Sequence, residues 1–195
     1  IILMIKEYKI YRLWTYILSL SLIVILIMAI PDSKHRFIDQ TINDFTRMNH
    51  PDKNQHKLYL FSKPHNDMYI TAYRIFLDNK FFGVGPRQYR NTCDEYSVSQ
   101  YSCETHPHHT YMELLSESGV FAFLIVAIFF CLLIYISIKH LVFKFIHGKK
   151  GLLNDFEICL LSAVIVSIWP FAPSGSFFNN WMSIVYYFPV GLLLW

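Results

Sequence analysis

The sequence predicts an all-α membrane protein with about four transmembrane helices and one large extracytoplasmic loop that contains amphipathic helices. Three observations lead there. Of the 195 residues, 54% are hydrophobic and only 16% charged, a balance well beyond that of ordinary soluble domains. The apolar residues gather into four runs, 13–30, 120–138, 156–171 and 181–195. Basic residues flank these runs unevenly: Lys6, Lys9 and Arg12 precede the first, and Lys139, Lys144, Lys149 and Lys150 crowd the stretch after the second. By the positive-inside rule both flanks are cytoplasmic, so the polar block 31–119 lies outside.

Residues 1–30 read as a cytoplasmic flank and a first span, with Trp14 and Tyr16 where amphipathic rings settle at the inner interface. The run is longer than a signal h-region and has no small-residue cleavage site before Pro31, so it is expected to remain as a span. Residues 31–119 form the outer loop, whose ten basic and eleven acidic side chains nearly balance. Residues 120–195 hold the second to fourth spans. A span needs roughly 20 apolar residues to cross about 30 Å of hydrocarbon; the first two runs qualify and the last two are short. Because the chain opens Ile-Ile-Leu-Met and closes on an apolar Leu-Leu-Leu-Trp, it reads as a fragment of a longer multipass protein. The net charge of +3 is too small to suggest a nucleic-acid partner.

Within the loop, Phe37, Ile38, Ile42 and Phe45 give a weak helical pattern after Pro31, followed by loop as far as Ser62. A clearer amphipathic helix spans 67–78, where Met68, Tyr69, Ala72, Tyr73, Phe76 and Leu77 recur at helical spacing and Asn66 or Asp67 is placed to cap it. Gly83-Val84-Gly85-Pro86 ends it with a tight turn; with no βαβ unit and no third glycine, this Gly-x-Gly is not a nucleotide fingerprint. Cys93 and Cys103 then bracket a short excursion. On an outer face they are expected to form a disulfide. The rival, a zinc site from Cys93, Cys103, His106 and His108, matches no usual ligand spacing. Cys131 and Cys159 lie in spans and are expected to be packed small residues.

The densest chemistry is in residues 103–119, which hold His106, His108, His109 and the carboxylates Glu104, Glu113 and Glu117. Thr110 is expected to start a helix continuous with the second span, with Tyr111, Leu114, Leu115 and Ser118 on one face and Glu113 and Glu117 on the other. Two roles are open for the glutamates: supporting the histidines, or forming a solvated face. The stretch 170–176, Pro-Phe-Ala-Pro-Ser-Gly-Ser, interrupts the third apolar run on the same side as the large loop, as a broken helix end lining a cavity rather than a catalytic element.

Taken together, the run 76–86, then Tyr89-Arg90, His106-Pro107-His108-His109-Thr110-Tyr111 and Glu117-Ser118-Gly119 resemble the O-antigen ligase and polymerase family of bacterial envelope glycan enzymes. The resemblance runs from about residue 62 to 195. His108 stands eleven residues before Gly119, the relation of a histidine and a glycine in that family. Departures are His109 where an amide is usual, Ala122 where a second glycine is common, and His65 or Arg74 near the place of an arginine.

The resemblance implies a cofactor-free, metal-independent glycosyl transfer at the outer half of the bacterial inner membrane. The donor would be a glycan on undecaprenyl diphosphate, and the acceptor a sugar hydroxyl on lipid A core or on another repeat unit. The residue types suit such a reaction. Imidazole can take a proton near neutrality, which makes His108 the candidate base, with His106 and His109 supporting. Guanidinium groups pair phosphate oxygens two at a time, which makes Arg90, Arg87 and, more weakly, Arg74 the diphosphate candidates. The alternative is a non-catalytic membrane component that binds or helps export an anionic or lipid-linked glycan; the absence of charge in the first two runs disfavours a proton-coupled transporter but not a binder.

Overall fold

The structure, a computed structural model, describes residues 9–46, 62–146 and 151–194. Lys6, the loop 47–61 and the pair Lys149 and Lys150 lie outside the described residues. Among the described residues the fold is wholly helical. The chain divides into two compact units, one with the first three helices and one from Asp67 onward.

In the first unit, α1 (Lys9–Ala29) is an unbroken apolar helix. It ends because Pro31 forces Ile30 into an extended conformation, φ −97° and ψ 112°, as the residue before proline prefers. Proline then starts α2 (Pro31–Lys34), where its missing N–H costs nothing. A π-type turn (His35–Asp39) leads into α3 (Gln40–Thr46). The apolar segments Leu13–Ala29 and Pro31–Asn43 meet at a bend of 102°.

The second unit begins within α4 (Lys63–Asp78), at Asp67. The helix starts four residues earlier than the periodicity predicts. Ser62, not Asn66 or Asp67, sits at its head: its carbonyl accepts from Asn66 N at 3.0 Å, and its Oγ pairs with His65 Nδ1 at 2.7 Å. Asp67 instead accepts from Ser99 Oγ at 2.7 Å. Met68, Tyr69 and Ala72 are buried as expected, whereas Tyr73 and Leu77 are exposed and Ile75 takes their place in the core. A helix that sequence reasoning missed, α5 (Tyr89–Tyr96), packs Tyr89 and Cys93 against Ala72 and Ile75. Cys93 and Cys103 are joined in a disulfide, Cα to Cα 5.5 Å.

Helix α6 (Thr110–Phe145) starts at the expected residue but is not continuous. Gly119, at φ 74° and ψ −172°, breaks it into a head, 110–118, and an apolar shaft from Val120. That backbone region is essentially restricted to glycine. The break is filled by the 80–85 turn, which lies backbone to backbone on the head. Val84 N donates to Ser116 O (3.0 Å), Gly85 N to Glu117 O (2.9 Å) and Val120 N to Lys80 O (2.8 Å). A Cβ at Gly119 would overlap the carbonyl of Phe81, and one at Gly83 (φ 64°) would overlap the backbone of Glu117 and Ser118. Both glycines are therefore dictated by close approach as well as by φ.

At its far end α6 buries His140, whose Nδ1 accepts from Leu153 N at 3.1 Å and fixes the turn into α7 (Asp155–Ser167). Asn154 and Glu157 form a capping box at that start. Leu133 of α6, Ile158, Leu161 and Val164 of α7, and Tyr187, Val190 and Leu193 of α8 (Asn180–Leu194) share one apolar core. Among the described residues α6 alone is a single helix long and apolar enough to cross a membrane, and α1 with its bent continuation is a second candidate. At 1.5 Å per residue, α7 and α8, with 13 and 15 residues, reach only about 20 and 22 Å of the roughly 30 Å hydrocarbon layer. Cys131 and Cys159 are exposed rather than packed, because they lie on outward faces of their helices.

Candidate active site

A cluster of buried polar groups in the second unit lies at the head of α6. Two loops close over it, and the two glutamates of the head hold them. Glu117 is fully buried; its Oε2 accepts from Arg87 N and its Oε1 from Tyr89 N at 2.9 Å. It thereby caps α5 from another helix and sets the backbone that carries Arg87 and Arg90. Glu113, also fully buried, accepts from Ser176 Oγ at 2.6 Å and Phe177 N at 2.7 Å. The solvated helix face is thus overturned, because loop backbone covers it and supplies the hydrogen bonds that water would have made.

Burial raises the proton affinity of both. For Glu117 the two N–H groups and the charges of Arg90 and Arg87 oppose the rise. Glu113 is pushed up to about 7, mainly by burial, with its two hydrogen bonds opposing and the charge of Glu117 adding to it. The neutral Glu113 carboxyl therefore contributes stability that is complete below the ordinary value of 4.5 and is lost as pH rises through about 7. Thermal midpoints of the protein in detergent are expected to fall across that window, and Glu113→Gln, neutral throughout, to flatten that part of the slope.

The second loop, Pro170 to Phe177, is pinned along its length. Ser174 N donates to His108 O at 2.9 Å, Thr110 N donates to Ser174 Oγ at 2.8 Å, and the Thr110 and Ser174 hydroxyls pair at 2.9 Å. Tyr111 Oη donates to Ile168 O at 2.9 Å. The loop from Pro170 thus lies against residues 108–111.

The three histidines are given different work. His109 is the N-cap of α6: Nδ1 accepts from Met112 N at 3.3 Å, so the proton is on Nε2, which donates to Pro170 O at 3.0 Å. With both nitrogens engaged and the ring buried, its proton affinity is lowered, first by desolvation. It is a structural pin between the start of α6 and Pro170. His108 is half-buried with a left-handed backbone, φ 51°, and its own carbonyl accepts from Ser174 N. The His106 ring lies 4.0 Å from that of His108, centroid to centroid. Its pKa falls to about 4, chiefly through burial, with His108 and Arg90 adding to the effect; at neutral pH it is uncharged.

Beside this pair is an open cleft of about 260 Å³ lined by Arg87, Arg90, Thr105, His106, Ser176 and Asn179. The structure brings Arg87, Arg90 and His106 together in the lining of one cleft, with His108 adjoining His106. Arg74 is not brought there: it is exposed and reaches the carbonyl of Tyr96 at 3.4 Å, at the far end of α5. Because Cys93 and Cys103 are bonded to each other, the zinc alternative loses both thiolates. Sequence reasoning missed Thr105, Ser176 and Asn179 as cleft residues; the only signal was the run of small polar residues after Pro170.

The cleft thus offers two cations and hydrogen-bonding groups to an anion, with imidazoles alongside, at the head of an apolar helix. Neither a curated protein nor a solved structure matches the chain. Residues 1–127 match the family described as O-Antigen ligase (Wzy_C), a stretch that takes in α1, the cleft arginines, all three histidines, both buried glutamates and Gly119. Members of this family are membrane-associated, glycosyltransferase-like ligases of polysaccharide assembly, and the chain belongs to the O-antigen ligase family.

Proposed function

We propose that this chain carries the donor-handling part of a membrane glycosyltransferase that moves a glycan from undecaprenyl diphosphate to a sugar hydroxyl. The observation that carries this reading is the shared cleft of Arg87, Arg90 and His106 with His108 at its edge. In the reaction His108 takes the proton of the acceptor hydroxyl as its oxygen bonds to the anomeric carbon. The bond from that carbon to the diphosphate breaks, and the electron pair leaves on undecaprenyl diphosphate. Arg90 and Arg87 stabilise the charge that grows there. No carboxylate is among the described residues lining the cleft, so the guanidinium groups rather than a carboxylate-held divalent ion are given this task.

A left-handed histidine is uncommon, and an unusual backbone held by its surroundings fits a side chain that must be aimed. The disulfide fits a periplasmic loop. The membrane part is then four segments in the bacterial inner membrane, α7 and α8 being a short pair packed on the α6 shaft. The acceptor is a sugar of lipid A core or of another repeat unit.

The test is incubation of the full-length protein with a polyprenyl-diphosphate-linked glycan and an acceptor glycan. A covalent glycan product is expected; retention of donor without product would overturn the reading in favour of a binding or export component. In cells lacking the gene, unattached polymer marks a lost ligase, and core bearing a single repeat marks a lost polymerase.

A further inference from the structure

We infer that Asn179 is a third donor to the anion in this cleft, supplied by α8 rather than by the loop that carries the arginines; the inference rests on the cleft being the diphosphate site. Asn179 precedes α8, and its side-chain oxygen is already spent: Oδ1 accepts from Trp181 N at 3.1 Å and Met182 N at 3.3 Å. Only an oxygen can accept these bonds, so the orientation of the amide is settled, and Nδ2 is the group left over. Asn179 is exposed and lines the cleft, and no described residue accepts from Nδ2. What the residue presents is a pure donor.

The two guanidinium groups of the cleft agree with it in polarity, and Ser176 serves to hold the turn. Arg87 and Arg90 can only donate. Ser176, which accepts from Asn179 N at 3.2 Å through its carbonyl, has its hydroxyl proton committed to Glu113. The turn from Ser176 to Asn179 is therefore held at one end by the buried glutamate of α6 and at the other by the start of α8. Phe177 O accepts from Ser183 Oγ at 2.9 Å inside the same turn. An amide fixed in this way keeps its direction without a ligand, so little freedom is lost when an oxyanion arrives. The ligand class is a phosphate or diphosphate oxygen, with the amide and guanidinium groups gripping it from two separate elements.

The helix-capping role and the donor role can be separated, because aspartate and serine also cap helices but neither supplies an amide N–H. Full-length protein in lipid nanodiscs would be titrated with undecaprenyl diphosphate carrying no glycan. The Asn179→Ser protein is expected to bind about tenfold more weakly, the loss of one hydrogen bond to a charged group. Asn179→Asp, which adds a carboxylate facing the anion, is expected to bind about a hundredfold more weakly, with the gap between the two variants narrowing in high salt. Thermal midpoints should stay near that of the wild type in both. Wild-type binding by both capping variants would overturn the donor role while leaving the diphosphate cleft standing. Failure of the wild-type protein to bind undecaprenyl diphosphate would overturn both.

Discussion

Replacing Gly119 by alanine is expected to abolish accumulation of folded protein. The residue sits at φ 74° and ψ −172°, where any side chain costs on the order of 1–3 kcal/mol in backbone strain alone. The added methyl would also occupy the place of the Phe81 carbonyl, so relief requires the 80–85 turn to lift off. Lifting it breaks the bonds of Val84 and Gly85 to the head of α6 and that of Val120 to Lys80, and pulls on Arg87, whose backbone Glu117 holds. The sum is on the order of 4 kcal/mol or more, in the range where a point mutation unfolds a protein. Quantification of the protein in membranes, with detergent thermal melts of what remains, checks this. Gly83→Ala, which faces the same contact from the other side, should behave alike; a Gly119→Ala protein present at normal level with a normal midpoint would show that the backbone clamp does not hold the fold.

Substituting His108 by alanine is expected to leave the protein in the membrane and to remove transfer, by about a hundredfold to ten-thousandfold, the usual worth of a positioned acid or base. The fold should tolerate it because His108 is only half-buried and its carbonyl, which accepts from Ser174 N, belongs to the backbone. The comparison with its neighbours is the informative part. His109→Ala removes the α6 cap and the bond to Pro170, so its loss of activity should come with a loss of stability of about 1 kcal/mol or more. His106→Ala opens the cleft wall without removing the base, and should change donor affinity more than turnover. Single-turnover transfer measured beside thermal midpoints separates the three. Normal transfer by the His108→Ala protein would remove it from the reaction.

Much of this site was legible one residue at a time. The pairing of Cys93 with Cys103 was visible from context, and His108 was singled out only through the family resemblance. The start of α6 at Thr110 followed from periodicity. Glu113 and Glu117 were legible only as a face, because a four-residue spacing says that two side chains point the same way and not what they meet. What they meet lies 63 and 30 residues away, in loops with no periodicity to read. The same distance hid Ser174, Ser176 and Asn179. Arg74 was misjudged for the converse reason: it lies close in sequence to the clamp but on a helix face turned toward the end of α5.

By itself, then, the amino-acid sequence determined that the chain is helical, that its apolar runs suit a membrane, and that histidine and arginine are concentrated next to one of them. These follow from composition and local spacing, which act over a turn or two of helix. Only the tertiary structure decided which polar groups serve the fold and which face the cleft. It turned both glutamates and His109 into fixtures, set His106 and His108 side by side, and left Arg87, Arg90 and Asn179 facing outward. The physical reason is that a buried polar group must find a partner, and partners are chosen by how distant loops close over the head of α6.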